Sequence, residues 1–278
     1  MIVAMHGLST MYCNVATEIR MASECGFDAV ELVESKLLRY LDQGYEAKEL
    51  VPLFEKYKMR CCMINALKWI ERSESAARNA LMKEAERLCA AAKDIGCPQV
   101  QLVPFCLLAD KPYDEVIRLT AKNVAEIATI GRSYGIRFQL EPIAWSPIHS
   151  VRQSLELLDA AGKPGNVGMV IDFWHLWAGY ETTPEDVAAL PATMIYGIHF
   201  CDGKRLAKGA KWDENDEPGL RSYLPGEGDI DIPAWVAAVK STGFDGYWSS
   251  ELLSPRHWEW DLAEIARETK ARMEQYIK

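Results

Sequence analysis

Short apolar runs alternate with longer amphipathic segments along the whole chain. Eight runs stand out: Ile2–His6, Ala29–Val33, Arg60–Asn65, Gln99–Pro104, Arg137–Pro142, Gly168–Asp172, Tyr196–Phe200 and Tyr247–Leu252. Several are almost wholly apolar over four or five residues, the pattern of strands covered on both faces in a parallel sheet. The segments between them carry a helical period. From Glu74 to Gly96 the apolar positions Ala77, Leu81, Ala85, Leu88, Ala92 and Ile95 step by three and four, which predicts one long helix.

Start and stop signals fall where this scheme needs them. Ser150 with Gln153 reads as a capping box, and Gly162 sits where that helix ends. Thr183 before Pro184, and Asp231 shortly before Pro233, read as N-caps followed by early-helix prolines. A last helix is predicted from about Trp258 towards Tyr276. Eight strand–helix units, with no Pro/Gly/Ser-rich linker, predict a single-domain (β/α)8 TIM barrel over residues 1–278. An open doubly wound sheet would offer a Gly-rich phosphate loop after its first strand, and His6-Gly7-Leu8-Ser9 is not one. The longest stretch without period is Asp202–Asp229, containing KWDENDEPGLRSYLPGEG, which reads as a functional loop such as a lid.

Composition narrows the function classes. With 49% hydrophobic and 26% charged residues the chain fits a globular protein with a large core. A net charge of −9 argues against a nucleic-acid partner. The N-terminal MIVAMHGLSTMY lacks the features of a signal peptide, and no apolar run approaches a membrane span, so no membrane partner and a cytoplasmic setting are expected. The eight cysteines (Cys13, Cys25, Cys61, Cys62, Cys89, Cys97, Cys106, Cys201) form no CxxC pair and read as reduced thiols packed in the core. Adjacent Cys61 and Cys62 must point to opposite faces of their strand.

The candidate chemistry lies at the ends of the later strands. They close on Leu140-Glu141-Pro142, Ile171-Asp172-Phe173, Ile198-His199-Phe200 and Ser250-Glu251-Leu252. Barrel active sites form at the carboxyl ends of the strands, so four successive strands deliver Glu141, Asp172, His199 and Glu251 to one rim. Three carboxylates crowded in low dielectric must take up protons or hold a cation. Three oxygen ligands with one imidazole suit one divalent ion, Mn²⁺ first, with Co²⁺, Mg²⁺ or Zn²⁺ also compatible. His6, Asn65, Lys68 and Trp69 are further rim residues; the first three are candidate substrate contacts, and Lys68 and Lys204 are candidate phosphate contacts. Trp145, Trp174, Trp177 and Trp212 are candidate platforms for a sugar ring.

VIDFWH, GIHF, PGEGDIDIPAW and the final SSEL resemble the xylose isomerase-like barrels, the sugar phosphate isomerase/epimerase family, over essentially the whole chain. With Asn65-Ala66-Leu67 and the PGEG of Pro225–Gly228, the resemblance is nearest to the branch of inosose isomerase and ketose 3-epimerases. It implies one metal on Glu141, Asp172, His199 and Glu251, with Glu141 and Glu251 exchanging protons on opposite faces of a substrate carbon. It also implies that His175 and Arg205 contact substrate oxygens, and that the chain forms a homodimer or tetramer. A hydroxy-ketone bound to such an ion has an acidified C–H and a stabilised ene-diolate. Proton return to the opposite face epimerises, return to the neighbouring carbon isomerises, and loss of a β-hydroxyl dehydrates. The expected function is therefore a metal-dependent isomerase or epimerase of a keto-sugar or keto-cyclitol. Two features keep a lyase or dehydratase as the alternative. Pro147 stands where ketose 3-epimerases carry a further glutamate, and IDFWHLW resembles 3-dehydroshikimate dehydratases. The apurinic endonuclease barrels, distant relatives, resemble a histidine-rich three-metal site that five histidines and an acidic chain do not match.

Overall fold

Each of the eight apolar runs forms a strand in a computed structural model of the chain. It describes residues 1–212 and 214–278; Asp213, inside the expected lid, lies outside the described residues. The strands are β1 (Ile2–His6), β2 (Ala29–Val33), β3 (Cys61–Lys68), β4 (Gln99–Val103), β5 (Arg137–Leu140), β6 (Val167–Asp172), β7 (Ile195–Phe200) and β8 (Tyr247–Ser250). Each pairs in parallel with the next, and β8 returns to β1 with Ile2 opposite Tyr247 and Met5 opposite Ser250, closing a (β/α)8 barrel.

Strand ends differ from the sequence reading by a few residues. β3 continues past Asn65 to Lys68, whereas β4 and β5 stop before Pro104 and Pro142, which have no N–H for the ladder. Glu141 and Glu251 lie one residue beyond their strands, yet each still donates its backbone N–H to the strand before it, to Leu102 O (3.0 Å) and Phe200 O (3.1 Å). Both side chains are therefore fixed by strand geometry.

The main core lies between the sheet and the surrounding helices. In the helix Ser75–Asp94, Leu81, Ala85, Leu88 and Ala92 are buried, as their spacing requires. Cys61 joins this outer core while Cys62 packs with Ala4 and Ala29, so the two do face opposite ways. Seven of the cysteines are buried; Cys106 is the exception, exposed on the loop after β4. Behind β1, Lys36 donates to Glu18 (2.9 Å), Gly7 O (2.8 Å) and Thr10 O (2.7 Å), an ion pair shut away from solvent.

Two cap readings are modified. Ser150 accepts the Gln153 N–H (3.3 Å) ahead of the helix Val151–Ala160, but Gln153 Oε1 takes the N–H of His149 (2.8 Å), one residue earlier than a regular capping box. The last helix, Leu262–Ile277, starts later than Trp258. Asp261 caps the N–H groups of Ala263 and Glu264, leaving a short 3-10 turn at His257–Glu259. Thr183 and Asp231 cap their helices as expected.

Asp202–Asp229 is built rather than structureless: it holds the helix Glu217–Leu220 and a bridge between Asp202 and Tyr223. Its base is tied by the buried Asp202 carboxylate, which accepts N–H groups from Gly203 (2.7 Å), Gly226 (2.8 Å), Gly228 (2.9 Å) and Ile230 (3.3 Å). A Cβ at Gly228 would stand 2.2 Å from Asp202 Oδ1, so the PGEG segment needs glycine there to wrap this carboxylate. Among the described residues no helix is long and apolar enough to cross a membrane.

Candidate metal centre

The carboxyl ends of the strands converge on one polar cluster. β5 to β8 place Glu141, Asp172, His199 and Glu251 so that one ligand atom from each lies within 4.8 Å of the others, all buried. His199 is the hub. Its Nδ1 lies 2.9 Å from Glu141 Oε1, 3.3 Å from Glu251 Oε2 and 3.6 Å from Asp172 Oδ2. Its other nitrogen, Nε2, lies 3.0 Å from Glu31 Oε1. An imidazole whose Nδ1 points into three carboxylates while Nε2 is held by a fourth has the arrangement of a metal-ligating histidine oriented by an outer carboxylate.

Glu31 was not singled out in the sequence, although a lone acid in the run Ala29-Val30-Glu31-Leu32-Val33 was the available signal. His6 and Asn65 reach the same carboxylate. His6 Nδ1 accepts the Leu8 N–H (3.0 Å), which leaves the proton on Nε2, 3.2 Å from Glu31 Oε1 and 3.5 Å from Glu251 Oε1. Asn65 Nδ2 donates to Glu31 (3.2 Å) and lies 3.2 Å from His6 Nε2.

The other residue missed is Arg221, carried into the site by the short helix Glu217–Leu220. Its Nη2 bonds Asp172 Oδ2 (3.1 Å) and Glu251 Oε2, its Nη1 bonds Glu217 Oε1 (2.9 Å), and its guanidinium carbon lies 5.1 Å from the centre of the Trp174 ring. No local pattern marked it, because its place depends on how the loop folds back. His175 also faces this region. Its backbone N–H bonds Asp172 Oδ1 (2.6 Å), its Nδ1 accepts the Ala144 N–H (3.2 Å), and its Nε2 lies 3.1 Å from Arg221 Nη1.

Arg205 is placed differently. Its guanidinium lies 4.0 Å from the ring centres of both Trp177 and Tyr180 and donates to Trp177 O (2.7 Å), so the cation beside the carboxylates is Arg221. Lys68 ends β3 half-buried on the rim, next to the exposed Trp69. Trp69, Phe105 and Trp145 form an aromatic row with ring centres 5.3 and 5.1 Å apart, and Trp145 donates to Glu217 Oε2 (2.8 Å). Trp212 packs edge-on to Trp174.

The electrostatics are those of a cation site. Burial alone would lower the pKa of His199, but Glu31, Glu251, Asp172 and Glu141 outweigh it and hold the ring well above its usual range. Burial would raise Glu31, yet His6 and His199 keep it well below normal. Glu251 is likewise depressed, against burial, by Arg221 and His199. Glu141 is raised by burial, which the His199 hydrogen bond only partly offsets. The cluster thus draws in positive charge wherever it can, and its three oxygen donors plus one imidazole fit a divalent ion.

Residues 19–276 match the family model described as xylose isomerase-like TIM barrel. Inosose isomerase of Bacillus velezensis is 22% identical over 267 residues, covering 95% of this chain and 92% of that protein. A 3-dehydroshikimate dehydratase of Pseudomonas aeruginosa is 25% identical over 247 residues, covering 85% of this chain but 36% of the longer enzyme. Among solved structures, the IOLI protein with a bound zinc atom superposes with a TM-score of 0.90 at 22% identity, covering 100% of this chain and 98% of that one.

Proposed function

The chain belongs to the xylose isomerase-like TIM barrel family, and from that premise we propose that it is a divalent-metal-dependent isomerase or epimerase of a keto-cyclitol or keto-sugar. The observation that carries this reading is the convergence of Glu141, Asp172, His199 and Glu251 within 4.8 Å. An ion held there would polarise a substrate carbonyl and stabilise the ene-diolate left when the neighbouring C–H loses its proton.

The chain's own groups then divide the work. Glu141 and Glu251 enter from β5 and β8 and serve as the base and acid that take and return the proton. Glu31 holds His199 through Nε2 and keeps Nδ1 directed at the cluster. Arg221 holds Asp172, Glu251 and Glu217 together, and His175 Nε2 lies beside it, so a substrate oxygen entering the cluster would meet both side chains. Site residues as buried as these exclude bulk water, which protects an ene-diolate from stray protonation.

The inosose isomerase relatives favour a cyclitol. Pro147, in place of the further glutamate of ketose 3-epimerases, weighs against a free-ketose 3-epimerase without choosing between a cyclitol isomerase and a dehydratase. Mn²⁺ and Zn²⁺ are the ions to try first, the latter because the IOLI structure binds zinc. The relation to 3-dehydroshikimate dehydratases supports water loss from the same intermediate as the second reading. The test is to incubate the protein with each ion in D2O with inososes and ketoses and follow C–H exchange by NMR. Exchange with a new isomer is expected; water loss moves the assignment to the dehydratase, and no exchange with any substrate contradicts both.

A further inference from the structure

Beneath the rim, the barrel interior contains a line of buried glutamines that ends on Glu141. Gln101 on β4 donates from Nε2 to Glu141 Oε2 at 2.7 Å, and Gln139 on β5 donates from Nε2 to Gln101 Oε1 at 2.7 Å. Both glutamines are buried, at 0% and 1% exposure. Their orientations are dictated in sequence. A carboxylate only accepts, so Gln101 must turn its NH2 to Glu141; its carbonyl oxygen then faces Gln139, which must answer with its own NH2. The Gln139 oxygen is left pointing away from the site, without a protein partner among the described residues. Gly197 makes room for it, since a Cβ there would stand 2.7 Å from Gln139 Oε1. Gln139 and Ser249, whose hydroxyl also lacks a protein partner, line a cavity of about 10 Å³, the size of one water.

We infer that Gln139, Gln101 and Glu141 form a positioning relay that fixes the rotation of the Glu141 carboxylate. Gln101 holds Oε2, so Oε1, 2.9 Å from His199 Nδ1, is the oxygen presented to the cluster. Gln139 acts only through Gln101, by setting which end of that amide meets Glu141. Neither glutamine touches substrate. A neutral amide also steadies Glu141 without competing for its charge, whereas Glu251 is held by the cationic Arg221.

The inference rests on Glu141 as a metal ligand, and metal affinity measured by calorimetry with Mn²⁺ tests both separately. Gln101→Met keeps the volume of the side chain, and by analogy with other outer-shell partners should weaken binding by about 10–100-fold. Gln139→Met should cost less, and adding it to Gln101→Met should cost nothing further, because its effect passes through Gln101. Gly197→Ala removes no polar group but displaces the Gln139 oxygen, so it should resemble Gln139→Met and covers the case in which Gln101→Met does not fold. Wild-type affinity in Gln101→Met or Gly197→Ala, or losses that multiply in the double variant, overturns the relay. If Glu141→Gln weakens binding while the glutamine variants do not, only the relay fails. If Glu141→Gln binds as tightly as wild type, the metal reading and the relay fall together.

Discussion

Arg221→Met removes the cation that touches Asp172, Glu251 and Glu217 while leaving a flexible apolar stem to rest on Trp174. Arg221 is 3% exposed, and Asp172 and Glu251 are buried with it, so the two charges left there cannot be resolvated by water; Glu217 is only partly covered. Taking one partner out of a buried ion pair costs about 3–5 kcal/mol. For a domain of this size each kcal/mol lowers Tm by about 2–4 °C, giving a drop of roughly 6–20 °C in a chelating buffer. A divalent ion replaces the missing charge among the same carboxylates. The metal-induced rise in Tm should therefore be larger in the variant than in wild type, where an ion would have to share Asp172 and Glu251 with the guanidinium. Calorimetric scans with EDTA and with excess Mn²⁺ or Zn²⁺ measure both quantities. A variant as stable as wild type in EDTA, or an equal metal-induced rise in both proteins, refutes the view that Arg221 neutralises this cluster.

Three further outcomes are expected. Glu31→Gln keeps the shape of the side chain but weakens its hold on His199 Nε2, and should lower metal affinity by about 10–100-fold, read by calorimetry. Lys36→Met strands Glu18, which is 0% exposed, and should destabilise the fold by about 3–5 kcal/mol in urea titrations without changing metal stoichiometry. Burial pushes the Cys89 thiol from 9.0 up to about 12. The folded chain thus keeps a proton that the unfolded chain loses, so the stabilisation is complete below pH 9.0 and fades as pH rises towards about 12. Cys89→Ala should flatten that alkaline decline in urea midpoints; an unchanged slope contradicts the assignment.

Much of the molecule was legible because its information is local. Apolar runs bounded by helical periods mark the strands, and in a barrel residues at or next to the strand ends share one rim, so the cluster of Glu141, Asp172, His199 and Glu251 could be read together. What was illegible depends on contacts between distant segments. Glu31 looks like one acid within a strand until β7 brings His199 against it. Arg221 sits in a loop whose path depends on Asp202 gathering four backbone N–H groups, whereas Arg205, nearer in sequence to His199, is captured by Trp177 and Tyr180. Gln101 and Gln139 are neutral, and nothing in a strand sequence distinguishes an inward glutamine in a relay from an outward one in solvent. The late start of the last helix has the same origin on a smaller scale, since Asp261 rather than the apolar period decides where it begins.

The central claim is that four strand-end side chains hold one divalent ion. Metal analysis of purified wild type beside Asp172→Asn and His199→Gln tests it most directly, because both substitutions nearly preserve side-chain size while replacing an anionic or imidazole ligand by a weaker neutral amide. One equivalent of ion in wild type, lost from each variant at the same free-metal concentration, is the predicted result. Stoichiometric metal retained in both variants would contradict the site.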